Sequence, residues 1–394
     1  MSTFKSYRLD ELAEVVTGET PRSEHPDSWG DEVDFITPSD QSNGMRRVSC
    51  ERKLSRVGAE RHKRRIVPPG STNLTCIGAT IGKVSQAANF CLTNQQINSL
   101  VARPDVCDPD YLYYLIRDWS YRLKQDAVGS ATPIVNKSTL ASYSFVVPGL
   151  QTQRAIAEVL GALDDKISAN RQVMETASEL QQAIWARSTR DVTRVALAEV
   201  ADIHLGGTPP RGDASAWDGN VAWASVRDMS AAPGGVILET SEHISRASAD
   251  RVRRLTDLPP GSTFISARGT VGLVTTNAIP CAINQSAYAL LARDVSPVGL
   301  RLAVAELGDY LRARAHGSVF DTITTETLNE SLIPDLRDPS VRAIELSIEN
   351  LEALRIARAR ENQVLASTRD ELLPLLMSGR ITVGAASSHV EVVV

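Results

Sequence analysis

Residues 151–187 read QTQRAIAEVLGALDDKISANRQVMETASELQQAIWAR, and this stretch decides the architecture. Ile156, Leu160, Leu163, Ile167, Met174, Ala177 and Ile184 follow alternating steps of four and three, with Asn170 filling one seam position. That spacing predicts a heptad seam over about five heptads. At 1.5 Å per residue the helix would extend ~55 Å. Pro148-Gly149 precedes it, and neither glycine nor proline interrupts it after Gly161. Asn170 in the seam costs some stability and can fix the register.

A second helical segment is predicted from about Pro339 to Gly379. Ile344, Ile348, Leu351, Leu365, Leu372 and Leu376 mark its apolar seam. Arg355, Arg358 and Asn362 interrupt the middle. Pro374 should kink or end the last turns, and Gly379 is a stop signal. A long helix with one apolar stripe must bury it. Pairing the two helices with each other is the economical solution; packing each on its own domain is the alternative.

Working outward, each helix follows a copy of one domain. Leu12-Ala13-Glu14-Val15 returns as Leu197-Ala198-Glu199-Val200, and Thr20-Pro21 and Trp29 return as Thr208-Pro209 and Trp217. Pro68-Pro69-Gly70-Ser71-Thr72 returns as Pro259-Pro260-Gly261-Ser262-Thr263, and Thr80-Ile81-Gly82 as Thr270-Val271-Gly272. Asn94-Gln95 returns as Asn284-Gln285. The offset, about 185 to 191 residues, far exceeds a solenoid period of ~20–50. The chain therefore carries a duplicated domain. An approximate two-fold relation between the copies would make the helices antiparallel and put the domains at opposite ends of the pair.

Inside each copy the pattern is mixed. Val33 to Thr37, Thr72 to Ile77 and Ser144 to Val147 read as strands bounded by Gly and Pro. Asp110 to Lys124 reads as a helix. Strands outnumber helices, so each unit is expected to be α+β. The expected plan is a first domain over 1–150, a long helix over 151–190, a second domain over 191–336, a long helix over 337–381 and a flexible tail over 382–394. The fold class is thus α+β, two tandem domains joined by two long helices in an antiparallel coiled coil with pseudo-two-fold symmetry.

Composition narrows the function. The chain has 394 residues, 42% hydrophobic and 23% charged, which is ordinary for a globular protein. No apolar run reaches the roughly 18–20 residues of a membrane span. Met1 to Asp10 is polar and lacks the core of a secretory signal, so the expected location is the cytoplasm. The five cysteines form no Cys-x-x-Cys pair, which argues against zinc and against a disulfide framework. The net charge is −5, but its distribution is uneven. Arg46, Arg47, Arg52, Lys53, Arg56, Arg61, Lys63, Arg64 and Arg65 crowd one stretch, and Arg246, Arg251, Arg253 and Arg254 occupy the similar place in the second copy. Local excess of this kind can neutralise phosphates even on an acidic protein; a solvated face is the plain alternative.

The run Gly129-Ser130-Ala131-Thr132-Pro133-Ile134-Val135-Asn136-Lys137-Ser138-Thr139-Leu140 leads through a strand to Val147-Pro148. Gln153-Arg154-Ala155-Ile156-Ala157 and Leu160-Gly161-Ala162-Leu163-Asp164-Asp165-Lys166-Ile167 follow. This series resembles the specificity subunits of type I restriction-modification systems. Leu372-Leu373-Pro374-Leu375-Leu376-Met377-Ser378-Gly379-Arg380-Ile381 resembles the close of their last helix, and Thr208-Pro209 with Trp217 and Trp223 the opening of their domains. The second copy departs from the pattern at Val341-Arg342-Ala343-Ile344-Glu345, and its loop Gly317 to Thr322 is acidic. The resemblance implies two target recognition domains, each reading half of a split, asymmetric site in double-stranded DNA. It implies helices that set the spacer and dock two methyltransferase subunits, with restriction subunits joining that core. It also implies a non-catalytic chain whose partners use S-adenosylmethionine, ATP and magnesium.

Catalytic motifs do not compete. Val67-Pro68-Pro69-Gly70 and Leu258-Pro259-Pro260-Gly261 lack the polar and aromatic residues of a methyltransferase loop, and no Walker-type phosphate loop occurs. Asp27 with Glu51-Arg52-Lys53 resembles a loose nuclease set that could hold a metal, so a free-standing metal-dependent nuclease is one alternative and a protein-binding scaffold another. No residue is assigned to catalysis or to metal.

If the copies read different half-sites, shared residues cannot carry the difference. Asn94-Gln95 and Asn284-Gln285 are therefore expected in a buried polar network, Trp29 and Trp217 in the core, and base readers in the diverged segments Asn43 to Arg65 and Ser130 to Lys137 of the first copy and Ser230 to Arg254 and Ser318 to Thr325 of the second. The candidate phosphate contacts are Arg46, Arg47, Lys53, Lys63, Arg64, Arg65, Lys137, Arg251, Arg253 and Arg254. The candidate loop contacts are Ser130, Thr132, Ser318 and Thr322.

Overall fold

The computed structural model describes residues 4–41, 45–126, 134–251, 258–315 and 322–393. The chain divides into two units, the first Met1–Ser168 with Gln363–Val394, the second Ala169–Asn362.

In the first unit an antiparallel sheet orders its strands Ala13–Thr17, Ile97–Ala102, Thr72–Thr75 and Val84–Gln86. A second sheet orders Trp29–Gly30, Arg52–Leu54, Val33–Ile36 and Cys91–Thr93, the last pair parallel. Lys5–Arg8 pairs with Ser144–Val147 as an antiparallel ribbon beside the long helix. The second unit repeats this plan. Ala201–Leu205, Ala287–Ala292, Thr263–Ser266 and Val274–Asn277 form one sheet, extended by Val236–Ile237. Glu242–Ile244, Val221–Ala224 and Ala282–Ile283 form the other, and Arg194–Ala196 pairs with Leu332–Pro334.

The shared residues build the turns of this plan. Gly70 and Gly261 adopt φ of 85° and 86°, a left-handed conformation that glycine reaches without a Cβ clash. In each copy the next serine closes the turn, Ser71 Oγ donating to the Pro68 carbonyl at 2.7 Å and Ser262 Oγ to the Pro259 carbonyl at 2.6 Å.

The central helix runs Leu150–Ser188 and the closing helix Glu345–Met377. In the first unit Ile156, Leu160, Leu163 and Ile167 share one buried cluster with Leu365, Leu372 and Leu376 of the closing helix and with Tyr111, Tyr113 and Tyr114 of the helix Pro109–Asp126. In the second unit Asn170 Nδ2 donates to Asn362 Oδ1 at 3.0 Å, and Gln181 Nε2 donates to the Ile348 carbonyl at 2.8 Å. Rising numbers on one helix meet falling numbers on the other, so the pair is antiparallel. Both packing solutions operate together: within each unit the helices pair and also join that unit's buried cluster.

The seam differs from expectation at several positions. Trp185 is buried where Ile184 was expected, and Ile184 packs half-buried beside it. On the closing helix Leu351 is only half-buried, and the seam runs through Ile348, Glu352, Arg355, Ala359 and Asn362. Arg355 and Asn362 are therefore seam residues, not interruptions. Ile344 lies half-buried in the turn between the short helix Pro339–Arg342 and the closing helix, so the expected single helix from Pro339 is two. Met174 packs with Ala359 and Val236. Pro374 sits inside the last turn without ending the helix. Gly379, with φ of 69°, stops it while the Arg380 amide donates to the Leu375 carbonyl at 2.9 Å.

The tail, expected to be flexible, contains the helix Val383–Val393, and Ala386 is buried in the first unit's core. Among the described residues no helix is long and apolar enough to cross a membrane.

Candidate nucleic-acid interface

The basic stretch of the first copy spans the strand Arg52–Leu54 and the helix Arg56–His62. Ser55 caps that helix by accepting from the Gly58 amide at 3.1 Å. Gly58 is forced by packing: a Cβ there would lie 2.2 Å from the Ser28 carbonyl oxygen. The helix is thus clamped to the turn Pro26–Ser28, and Arg61 adds a two-pronged contact to Asp27 at 2.6 and 2.8 Å. The paired charge of Arg61 holds the Asp27 carboxyl below its ordinary range.

Most cations of the stretch already have partners. Lys53 lies 3.1 Å from Asp34, and Lys63 pairs with Glu60. Arg65 contacts Glu19 at 3.0 Å and donates to the Thr17 carbonyl at 2.9 Å. Burial works to raise the Asp34 pKa, but hydrogen bonds from Asn89 and Lys53 outweigh it and the carboxyl stays low. Arg47, Arg56, Arg64 and Lys137 are exposed, and Lys137 opens a helix capped by Asn136. Arg56 and Arg64 have no acid within ion-pair distance among the described residues.

Arg46 is a correction. Only 6% of it is exposed, so it cannot offer its guanidinium to a phosphate. It donates to Gln86 Oε1 at 2.8 Å, pairs with Asp110, and lies 5.7 and 5.5 Å from the ring centres of Tyr113 and Tyr114. Gly161 makes room for it, since a Cβ there would stand 3.1 Å from the Arg46 Nη1. Burial disfavours ionised Asp110, yet the adjoining Arg46 holds its carboxyl below the ordinary range.

Asn94-Gln95 and Asn284-Gln285 are also corrected. Gln95 and Gln285 are exposed and the asparagines half-buried, so no buried network forms. They are turn builders: Asn94 accepts from the Gln96 amide and Asn284 from the Ser286 amide, each at 3.1 Å. Gln95 accepts from Thr20 at 2.7 Å, and Gln285 from Thr208 in the same way. Trp29 and Trp217 are half-buried rather than core. Of the second-copy candidates, the Arg251 side chain and Arg253, Arg254 and Ser318 lie outside the described residues, as do Ser130 and Thr132 of the first copy; Thr322 is half-buried. Arg251 ends the helix Arg246–Arg251.

Sequence reasoning missed a paired feature. Trp29 and Phe35 meet edge to face at 5.0 Å and 83°, and Trp217 and Trp223 at 5.0 Å and 89°. In each copy a guanidinium caps the pair. Arg52 lies 4.6 Å from the Trp29 ring centre and 5.0 Å from that of Phe35. Arg211 lies 3.8 Å from Trp217 and 5.2 Å from Trp223. The register shows the exchange: Phe35 stands opposite Arg52, and Trp223 opposite Glu242. Glu242 binds Arg211 through both oxygens. The aromatic spacing was legible in the sequence; the arginines reach it from different places.

Two members of the nuclease-like set already have other partners. Asp27 is engaged by Arg61 and Lys53 by Asp34. Among the described residues no group of His, Cys, Asp and Glu is arranged to hold a metal.

Residues 1–177 match the family model described as the type I restriction modification DNA specificity domain. The match covers the first copy and part of the central helix, 177 of the 394 residues. The chain is 30% identical over 177 residues to the specificity subunit of the type I restriction enzyme MjaIX of Methanocaldococcus jannaschii. It is 27% identical over 182 residues to that of the type I restriction enzyme HindI of Haemophilus influenzae. These matches span 44% and 45% of this chain but only 40% and 39% of the relatives. The S subunit of the M. genitalium type I restriction-modification system shares the fold, with a TM-score of 0.60 at 14% identity over 95% of this chain and 96% of that one. The matched span contains both the capped Trp29–Phe35 pair and the clamped basic helix.

Proposed function

We propose that this chain is the DNA-specificity subunit of a type I restriction-modification complex in the cytoplasm. The observation that carries the reading is a specificity domain in the first copy whose strand order recurs in the second unit. Each domain reads one half of a bipartite, asymmetric site in double-stranded DNA. Divergence between the domains removes any need for a palindrome. The helix pair sets the spacer and docks two methyltransferase subunits, to which restriction subunits add. The chain itself is not catalytic; its partners use S-adenosylmethionine, ATP and magnesium. Exposed Arg47, Arg64 and Lys137 remain the candidate phosphate contacts, with Lys53, Lys63 and Arg65 available once their surface pairs exchange. Surface pairs contribute about 0–1 kcal/mol, so phosphate can displace them.

The test is adenine methylation mapping. The chain assembled with its methyltransferase subunit should methylate one split sequence with a fixed spacer. Methylation scattered over unrelated sequences would refute the reading. Cleavage by the lone chain with magnesium, lost in Glu51→Ala, would instead favour the nuclease.

A further inference from the structure

We propose that Arg52 is a base-reading residue of the first domain and that it contacts a guanine. The inference rests on the DNA-specificity reading above and adds the residue and the base. Three observations carry it. Arg52 is exposed at the start of its strand and has no acid within ion-pair distance among the described residues, unlike its neighbours Lys53 and Arg61. Its guanidinium is held on the Trp29 and Phe35 rings, 4.6 and 5.0 Å from their centres. The opposite strand position in the second copy carries Glu242, so the residue belongs to the set in which the copies disagree.

The physics favours readout over cover. Stacking against an aromatic pair restrains the planar fork, so less rotamer freedom is lost when it binds. Stacking uses the face of the guanidinium and leaves its N–H edge free. A planar edge with parallel donors matches the O6 and N7 acceptors of guanine in the major groove, and no other base pair presents that double acceptor edge. In the second unit the fork of Arg211 is occupied by both oxygens of Glu242. The same aromatic platform therefore holds a free fork in one domain and a spent fork in the other, which suits two half-sites of different sequence.

The experiment uses the full-length chain assembled with its methyltransferase subunit and a pool of duplexes randomised in both half-sites. Wild type should select a guanine at one position of the first half-site. Arg52→Ala should lose that preference by about 5- to 150-fold, the range of one bidentate contact, and leave the second half-site unchanged. Arg52→Lys keeps the charge and removes the fork. It should weaken the same preference, since an ammonium holds O6 and N7 less rigidly than a planar fork, while retaining overall affinity, and it carries the test if the alanine variant is unstable. Unchanged selection in both variants, or uniform weakening on all duplexes, overturns the assignment and leaves the specificity reading standing. A wild-type assembly without sequence preference overturns both.

Discussion

The two units bury an acid at the same place in the helix pair and neutralise it differently. Asp164 and Glu352 lie 188 positions apart, and so do Gln181 and Arg369. In the first unit Arg369 Nη1 donates to Asp164 Oδ1 at 2.5 Å, and the Tyr114 hydroxyl donates to Oδ2 at 2.7 Å. In the second unit the partner position holds Gln181, which donates to Glu352 at 3.2 Å but brings no charge. Arg301 of the helix Pro297–Ala315 supplies charge at 2.9 Å, and Arg355 binds the same oxygen. That arrangement is less complete. Glu352 Oε1, Arg301 Nε and Arg355 Nε are buried without a hydrogen-bond partner among the described residues, and burial pulls the Arg301 pKa down. The lesson is that the duplicated requirement is a balanced buried charge, and the residue meeting it can come from any adjoining element.

The largest expected effect breaks the tighter pair. Arg369→Ala leaves Asp164 buried with the Tyr114 hydroxyl but without its paired guanidinium, and should cost about 3–5 kcal/mol in denaturant unfolding. Gln181→Ala should cost about 1–2 kcal/mol, because two arginines still hold Glu352. Equal losses would erase the contrast. Next, Asp164→Leu with Arg369→Leu removes both charges and should be neutral or stabilising by about 1–4 kcal/mol; a loss as large as that of Arg369→Ala alone would show that packing, not charge, sets the cost. Smaller again, Asn170→Leu with Asn362→Leu should raise the melting temperature by a few degrees, since a polar seam pair costs stability. A fall would show that the hydrogen bonds of the pair outweigh the cost of burying it.

The smallest effect concerns the thiols. Burial pushes Cys91 and Cys107 up to about 12. A folded pKa above the unfolded value contributes stability below about pH 8.5 that is lost as pH rises toward 12. Iodoacetamide at pH 8 should therefore label half-buried Cys50 first and reach Cys91 and Cys107 only on unfolding. Native-state labelling of Cys91 at the Cys50 rate would contradict the buried placement.

Local patterns made the duplication, the strands and the long helices legible, because each depends on residues a few positions apart. The polar seam was not legible. Arg355 and Asn362 look like breaks in an apolar stripe until Glu352 and Asn170 are placed beside them. Arg46 looks like a surface cation because Gln86, Asp110 and the tyrosines that enclose it lie 40 or more residues away. Arg52 was visible as charge, but its orientation depends on Trp29 and Phe35 arriving through two strand pairings.

The first unit is built from the two ends of the chain, and this governs the order in which it can be completed. Arg369 meets Asp164 across 205 residues, while the second unit is one continuous segment. On a ribosome adding roughly 5–20 residues per second, the lag between those partners is on the order of 10–40 s. For that time Ile156, Leu160 and Leu163 wait without Leu365, Leu372 and Leu376, while everything the second unit needs emerges first. The nascent chain therefore exposes part of an apolar helix face until the closing helix covers it, and that interval is when a chaperone or premature association would act.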